Sequence, residues 1–444
     1  MEVKSIDELK LAVVAEIDRR ADEAVGVAKR ILENPEPGFR ERKTSQLVRD
    51  KFNELEVPFQ DGLALTGLKA TLSGGSSGPT VAVMGELDSL IVLGHPHGDP
   101  ETNAAHACGH HVQIGAMLGV AMGLQAPGVM DSLAGRVALI AVPAEEYIEV
   151  EYRNGLRSEG KLEFLGGKAE LIRLGALDDV DMAMMTHTEL RDLPGTFGVG
   201  ATNNGMVAKW IRFTGVAAHA GAYPYDGVNA LNAANIALTA IHAQRETFRD
   251  EDSIRVHPII TRGGIAVSSV PADVRMETFV RGSSIEAVRS AAEKVDRALR
   301  AGAMAVGGSV TITTTPGYLP IKQDSTLENV FASNVERLIG PGQIVRLGHR
   351  SGSTDMGDVS QIMPAIHPYS AVATGNAHGA DYLVQDYDTA VVMAAKAMAT
   401  TVVDLLADGA RGALEVKSKF RPSLSKGEYL SLVRGMGSEE TYRE

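Results

Sequence analysis

The chain has 444 residues, of which 44% are hydrophobic and 22% charged, a composition typical of a soluble globular protein with more than one domain. The formal net charge is −13 at pH 7 and there is no basic run or stripe, which argues against a nucleic-acid partner. The N-terminal residues lack a signal-like apolar core, no run of about 18 apolar residues is apparent, and there is one cysteine. We therefore expect a cytoplasmic protein without a membrane span or an internal disulfide.

The first part of the chain alternates between helical and strand-like patterns. Apolar residues recur at four-residue spacing from residue 6 to about 33, which predicts a helix. Short β-branched runs at 68–72, 80–84 and 137–142 predict strands, and an Ala-, Gly- and Met-rich segment at 112–124 predicts a helix between the last two. This alternation predicts an α/β layer with a mostly parallel sheet flanked by helices.

After about residue 200 the order of elements changes to βαββαβ, which is typical of a small ferredoxin-like α+β domain. The predicted elements are a strand at 206–214, a helix at 228–247, strands at 254–261 and 274–280, a helix at 285–301 and a strand at 309–315. From residue 317 the alternation of α/β type seen in the first part of the chain returns. We therefore expect a larger domain formed by residues 1–202 and 317–444, with a C-terminal extension of unassigned role, interrupted by a smaller domain at 203–316.

The only cysteine lies in a histidine-rich turn. Residues 105–111 read Ala-His-Ala-Cys-Gly-His-His and precede the predicted helix at 112–124. A Cys-x-His pair in a glycine-containing turn can direct a thiolate and an imidazole at one point, and such ligands suit zinc, manganese and related divalent ions. The turn alone leaves other interpretations open, because Cys108 could be a core residue or a nucleophile and the histidines could cap the helix.

Further polar groups follow apolar, strand-like runs. Glu145 and Glu146 are adjacent carboxylates, which are costly to place together unless a cation lies nearby. One of them can bind a metal while the other acts as a general base on water. His187 and His378 also follow such runs. Each group alone can be structural or solvated, but open α/β sheets place their sites at the carboxyl ends of strands.

The order of these motifs resembles one enzyme family. His-Ala-Cys-Gly-His at 106–110, Pro-Ala-Glu-Glu at 143–146, a strand-end His, Gly-x-x-x-His-Ala at 215–220 and a late His are similar to the amidohydrolase branch of the aminoacylase/carboxypeptidase G metallopeptidase family. That branch includes hippurate hydrolases, auxin–amino acid hydrolases and aminobenzoyl-glutamate hydrolases. The similarity runs from about residue 22 to 407. It implies a catalytic α/β domain interrupted by a lid or dimerisation domain.

The resemblance also implies a site with two divalent metal ions per subunit, Mn²⁺ or Zn²⁺. The implied ligands are Cys108, His110, Glu146, His187 and His378. Glu145 would be the general base, passing a proton from water to the leaving nitrogen. His219 would stabilise the oxyanion, often in the site of the partner subunit, which implies a homodimer or a higher homo-oligomer.

The positions expected to contact substrate depart from the family pattern. An Asn and an Arg thirteen residues apart usually bind the substrate carboxylate; here Ser268 replaces the Asn and Arg281 stands at the expected spacing. His111 stands where the family prefers Asp. An insertion at 147–164 is expected to cover the pocket and change leaving-group specificity. The segment 352–356 matches a family loop near the site.

We therefore expect a metal-dependent hydrolase that cleaves the C–N bond of a small N-acyl or N-aroyl amino acid bearing a carboxylate. The departures at His111 and Ser268 keep a second hypothesis open, hydrolytic deamination of an electron-poor aromatic amine, as in nitroanthranilate aminohydrolase. Two more distant hypotheses are a non-catalytic binding protein and a hydrolase with Cys108 as nucleophile. The retained Glu145 argues against the first, and metal-dependent activity would exclude the second.

Overall fold

The computed structural model describes residues 4–443. The helices are α1 (Ile6–Arg19), α2 (Ala21–Leu32), α3 (Arg42–Glu54), α4 (His110–Leu124), α5 (Val150–Ser158), α6 (Gly167–Leu174), α7 (Ala230–Ala243), α8 (Ile285–Met304), α9 (Ser325–Ile339), α10 (Met356–Ile362), α11 (Ala394–Lys419) and α12 (Lys426–Arg434). The strands are β1 (Phe59–Leu63), β2 (Gly67–Ser73), β3 (Ser76–Glu86), β4 (Leu90–Ile91), β5 (Ala104–Ala105), β6 (Ala134–Val142), β7 (Met182–Met184), β8 (His187–Leu190), β9 (Phe197–Val199), β10 (Thr202–Asn203), β11 (Gly205–Thr214), β12 (Arg255–Val256), β13 (Ile259–Arg262), β14 (Asp273–Gly282), β15 (Ser309–Pro316), β16 (Ile344–Arg346), β17 (His349–Arg350), β18 (Ala365–Ile366), β19 (Tyr369–Thr374), β20 (Leu383–Val384) and β21 (Ser438–Arg443).

A six-stranded sheet in the order β1-β2-β6-β3-β7-β18 forms the centre of the larger part. The pairs from β6 to β18 are parallel, and β1 and β2 add an antiparallel edge. One face packs against α1, α2, α4 and α11, and the other against α6, α10 and α12. This arrangement confirms the predicted α/β class with a mostly parallel sheet between helices.

The composition of α4 follows from its position inside this sandwich. All 15 of its residues are buried, so no polar face is needed. A Cβ added to Gly119 would lie 2.8 Å from the Cβ of Ala395, and one added to Gly123 would lie 2.6 Å from Cγ1 of Ile17. Small residues therefore allow α4 to approach its neighbouring helices closely.

The helix predicted from residue 6 to 33 is instead two helices. Ser5 and Glu8 form a capping box at the start of α1. Arg20 then leaves helical geometry, with φ −107° and ψ 14°, and α2 begins at the next residue. Apolar periodicity alone did not reveal this break, because both helices present their apolar residues to the same core.

The smaller sheet has the order β12-β14-β11-β15-β21, and β13 also pairs with β14. All of these pairs are antiparallel. Helices α7 and α8 cover one face, and β14 alternates strictly between buried and partly exposed residues, so its other face is free to line a cavity. The C-terminal strand β21 joins this sheet, which gives a place to residues whose role the sequence left unassigned. The predicted boundaries at 202/203 and 316/317 stay a prediction, and residues 1–3 and 444 lie outside the described residues.

The segment Asp388–Lys419 is long and apolar enough to cross a membrane by length and composition, contrary to the sequence-based expectation. In the structure, 83% of its most apolar window is buried inside the protein. It packs against α1, α4, α9 and the central sheet, and non-helical backbone at 407–410 interrupts it. Packing in the core therefore accounts for its hydropathy.

Candidate metal centre and catalytic cleft

Several of the predicted site residues meet at the carboxyl edge of the central sheet. Glu145 and Glu146 follow the end of β6, His187 begins β8 just after β7, and His110 begins α4. Glu145, Glu146 and His187 line a cleft of about 590 Å³. Cys108 precedes Gly109, whose φ of 87° lets the chain turn sharply into α4.

Two groups of potential metal ligands share the cysteine. Cys108, His110 and His187 form one group, and Cys108, Glu146 and His378 form the other. Within each group the ligand atoms lie within 4.8 Å of one another. The Cys108 Sγ is 3.4 Å from Nε2 of His187, and Nε2 of His378 is 3.5 Å from Oε1 of Glu146. The structure thus brings the five expected ligands together, with the sulfur atom common to both groups.

Asp88 orients two of these ligands. The Nδ1 atom of His110 lies 3.0 Å from the backbone oxygen of Asp88 and 3.2 Å from its Oδ1. The other carboxylate oxygen of Asp88 accepts a hydrogen bond of 2.8 Å from the backbone N–H of Glu146. A hydrogen bond at one ring nitrogen is the usual way in which proteins fix a histidine ligand for a metal.

The atoms that remain free after these contacts fit a bound cation. Within residues 4–443, Nε2 of His110 and Oε1 of Glu146 are buried and have no hydrogen-bond partner. Nε2 of His110 is 3.0 Å from Oε2 of Glu86, but without hydrogen-bonding geometry. Buried polar atoms are rarely left unpaired. A set of one sulfur, three imidazoles and a carboxylate suits borderline divalent ions.

The turn that carries the carboxylate pair is held from several sides. Ala144 has a φ of 52°, unusual for a residue with a Cβ. Its N–H donates to Oε1 of Glu41 at 2.7 Å. The guanidinium of Arg153, a residue only 1% exposed, donates to the carbonyl oxygens of Ala144 at 3.3 Å, of Leu165 at 2.7 Å and of Glu146. These contacts fix the backbone on both sides of Glu145.

Burial and like charge dominate the electrostatics of the cleft. Burial, reinforced by Glu86 and Glu146, raises the pKa of Glu145 well above its usual range. Burial also raises the pKa of the Cys108 thiol. Burial would raise the pKa of Glu86 as well, but Lys168 holds it below its usual range, through an Nζ–Oε1 contact of 2.6 Å. A carboxyl with a raised pKa is suited to accept and return a proton.

Arg281 also lines the cleft. It lies on the partly exposed face of β14, with its guanidinium carbon 5.3 Å from the centre of the Phe279 ring. Arg281 has no ion-pair partner within the described part of the chain. Its charge is therefore available to a ligand.

His111 lies away from this group, although the family motif predicted it as a substrate contact. It is buried in α4, with Nε2 3.2 Å from the hydroxyl of Tyr387 and its ring centroid 5.2 Å from that of His106. Successive residues of a helix are rotated by about 100°, so His111 cannot face the same way as His110. This position gives no support to the predicted substrate contact.

His219 and Ser268 lie together on the smaller domain and do not line the cleft. Both are exposed, and the backbone N–H of Ala220 donates to the carbonyl oxygen of Ser268 at 2.9 Å. Nδ1 of His219 accepts from the N–H groups of Gly221 and Ala222, at 3.2 and 3.0 Å. A neutral His219 therefore carries its proton on Nε2.

Several cleft residues were missed by the sequence analysis. His367 is buried beside His187, with 5.4 Å between ring centroids, and within the described residues its ring nitrogens have no hydrogen-bond partner. Arg350 forms an ion pair with Glu189 and stacks on Tyr369. The only sequence feature that pointed to this part of the cleft was the family-like loop at 352–356, which borders the cleft as expected.

The chain is similar to known proteins over most of its length. Residues 201–305 match the peptidase dimerisation domain, M20_dimer. The chain is 28% identical to a mouse Xaa-Arg dipeptidase, covering 94% of this chain and 91% of that protein. It is 35% identical to one chain of the p-aminobenzoyl-glutamate hydrolase of Escherichia coli, over 49% of this chain and 48% of that protein. A Bacillus subtilis structure described as a dinuclear metal-binding peptidase from the M20 family has a TM-score of 0.63 at 22% identity, covering 88% and 99%. These findings confirm the resemblance predicted from the sequence, and the likeness to the solved structure confirms the fold.

Proposed function

We propose that the protein is a two-metal hydrolase that cleaves the amide bond of N-acyl or N-aroyl amino acids. The main support for this proposal is the pair of ligand groups that share Cys108, with Glu145 beside them. Their atoms converge at the cleft, and two of them lack a hydrogen-bond partner within residues 4–443. The similarity to an aminobenzoyl-glutamate hydrolase and to a dipeptidase supports an amide bond as the target.

Each residue has a proposed role. The ligands would be Cys108, His110, Glu146, His187 and His378. Two divalent ions, Zn²⁺ or Mn²⁺, would activate water and polarise the scissile carbonyl. Glu145 accepts the proton of the attacking water and delivers it to the leaving nitrogen, which its raised pKa favours. Arg281 binds the substrate carboxylate.

His219 acts in the site of a partner subunit in this proposal. It is exposed on the smaller domain and does not line the cleft of its own chain, and its Nε2–H is free to donate to an oxyanion. The match to a dimerisation domain supports a homodimer. A single cysteine that serves as a metal ligand suits the reducing conditions of a cytoplasm.

Hydrolytic deamination of an aromatic amine is the competing hypothesis. The two departures that prompted it, His111 and Ser268, lie outside the cleft lining. They therefore do not favour it over amide hydrolysis. The products distinguish the two reactions, since an amide releases an amino acid and an aromatic amine releases ammonia.

The test begins with metal-free protein reloaded with Zn²⁺ or Mn²⁺. A panel of N-acyl and N-aroyl amino acids, Xaa-Arg dipeptides and nitro-substituted anilines is screened, with product identification. We expect metal-dependent amino acid release that is lost in Glu145→Gln. Release of ammonia alone would refute amide hydrolysis, and activity that survives chelation but not thiol alkylation would refute the metal mechanism. When the inactive Glu145→Gln and His219→Ala proteins are mixed, some activity should return. If no activity returns after subunit exchange has been confirmed, a site shared between subunits is refuted.

A further inference from the structure

A second cavity, of about 320 Å³, opens from the catalytic cleft. The two cavities share Tyr147, Ile148, Phe279 and Arg281 in their walls. The second cavity lies between residues 147–149 of the insertion and strands β12 to β14, and we call it the annex. Residues 147–149 of the predicted insertion therefore form one wall of the annex.

Two arginines face the annex from adjacent strands. Arg255 of β12 lies directly opposite Arg281 of β14 in the antiparallel ladder. The next pair, Val256 and Val280, is buried in the core on the other face of the sheet. Both arginine side chains therefore project from the face that lines the annex, at a Cβ separation of roughly 5 Å. Like charges directly opposite one another destabilise a sheet.

Neither arginine is neutralised by a carboxylate. In the chain from residue 4 to 443, no ion pair involves either guanidinium, and the buried Nε of Arg281 has no hydrogen-bond partner. Arg255 donates from Nη1 to the carbonyl oxygen of Ile254 at 2.9 Å. Two uncompensated guanidinium groups on one cavity wall are a binding surface for anions.

The carboxylates that border the annex are already engaged. Glu277 accepts hydrogen bonds from the N–H groups of Val150 and Glu151, at 3.4 and 3.1 Å, and so caps the first turn of α5. Glu149 is paired with Arg40. With Glu149 paired to Arg40, two arginines face the single carboxylate of Glu277, so the annex keeps a positive excess.

We propose that the annex binds a second carboxylate of the substrate, so that the preferred substrates are N-acyl derivatives of acidic amino acids. Arg281 holds the α-carboxylate, and Arg255 holds the carboxylate of the side chain. The apolar stem of that side chain lies against Ile148 and Phe279. The separation of roughly 5 Å between the Cβ atoms of the two arginines is of the order of the distance between the two carboxylates of aspartate or glutamate. This assignment rests on the amide hydrolysis proposed above.

The test compares amino acids that carry the same acyl group and a neutral, acidic or basic side chain. We expect kcat/KM at low salt to be highest for the acidic substrates. Arg255→Gln should lower kcat/KM for acidic substrates about tenfold and leave neutral ones within twofold. The matched control is Arg289→Gln, which removes the same charge from the exposed face of α8. It should change none of these values.

A binding measurement separates this inference from the proposed reaction. Glutarate and acetate are titrated calorimetrically into metal-loaded wild-type, Arg255→Gln and Arg289→Gln proteins. We expect glutarate to bind about tenfold more weakly to Arg255→Gln alone. An equal loss for neutral and acidic substrates, a preference for basic side chains, or unchanged glutarate binding would overturn the second carboxylate site. Selective loss of glutarate binding without any amide hydrolysis would support the annex and refute the proposed reaction.

Discussion

Arg153 is the buried side chain whose replacement tests most directly how the catalytic turn is held. It contacts three carbonyl oxygens around Glu145 and no carboxylate within the described chain, and its guanidinium lies 5.2 Å from the ring of Phe39. Arg153→Met keeps the length and apolar stem of the side chain but removes all three donors. We expect this variant to lose catalytic rate far more than stability.

The stability cost is limited by two opposing effects. Each buried carbonyl that loses its donor costs about 1–3 kcal/mol, and up to three are affected. Removing a buried cation that has no counter-charge relieves a desolvation penalty of several kcal/mol in the folded state. We therefore expect the free energy of unfolding to fall by only about 1–3 kcal/mol.

The catalytic cost is larger because the turn positions both carboxylates. Without the guanidinium, the carbonyl groups of Ala144 and Glu146 each lose one of the contacts that hold the backbone on either side of Glu145. A misplacement of about 1 Å at reacting groups can cost roughly 10²-fold in rate. We expect kcat to fall by about that factor, metal affinity to fall with it, and KM to change little.

Urea denaturation, steady-state kinetics and metal titration of the same preparations check this expectation. Arg157→Met is the matched control, since Arg157 lies one turn further along α5 and has no ion pair within residues 4–443. It should behave like the wild type in all three assays. If Arg153→Met is destabilised while kcat and metal affinity stay within twofold, Arg153 is only a packing element and the positioning argument is refuted.

Three other changes have effects that follow from burial or backbone geometry. Burial lowers the pKa of His111 to about 3, so its neutral form stabilises the fold above its ordinary pKa of 6.5, and this contribution is lost on acidification. Between pH 7.5 and 5, the free energy of unfolding measured by urea denaturation should fall by about 2 kcal/mol less in His111→Phe than in the wild type. An equal fall in both proteins would contradict this expectation. Gly109→Ala would place a Cβ 2.5 Å from Thr188 at a φ of 87°, so metal titration should show weakened binding, whereas Gly155→Ala, with open space around it, should not. Lys168→Met leaves two buried carboxylates without a cation and should lower the unfolding free energy by about 3–5 kcal/mol; a loss under 1 kcal/mol would contradict it.

Most of the architecture could be predicted because its elements carry strong local patterns. Strands β3, β6 and β7 of the central sheet are largely buried apolar runs, and the strictly alternating burial of β14 matches its largely alternating sequence. The break at Arg20 and the strand β21 were not predictable in the same way. β21 reads Ser-Glu-Glu-Thr-Tyr-Arg, with little apolar character, and it becomes a strand because the free edge of β15 accepts it.

The site shows where sequence motifs stop being informative. Cys108 and Glu146 stand in motifs whose order along the chain was enough to predict that the two residues lie in one site. His367 and Arg350 stand in no motif, and only the packing of β17 to β19 places them in the cleft. His111 was predicted from its place in the family motif, and its burial against Tyr387 within α4 gives that prediction no support.

The predicted insertion at 147–164 contacts both the turn that bears Glu145 and the smaller sheet. Through Arg153 it holds the catalytic turn, and at the start of α5 it is bound to β14 by the Glu277 cap and by an ion pair between Glu151 and Arg275. The hydroxyl of Tyr147 also donates to the carbonyl oxygen of Pro316 at 2.9 Å, at the end of β15. Any displacement of the smaller sheet relative to the cleft must break these contacts or carry the catalytic turn with it. The same nine-residue helix therefore links the strand that bears Arg281 to the turn that bears Glu145. In the proposed reaction, this link couples substrate binding on one sheet to proton transfer at the other.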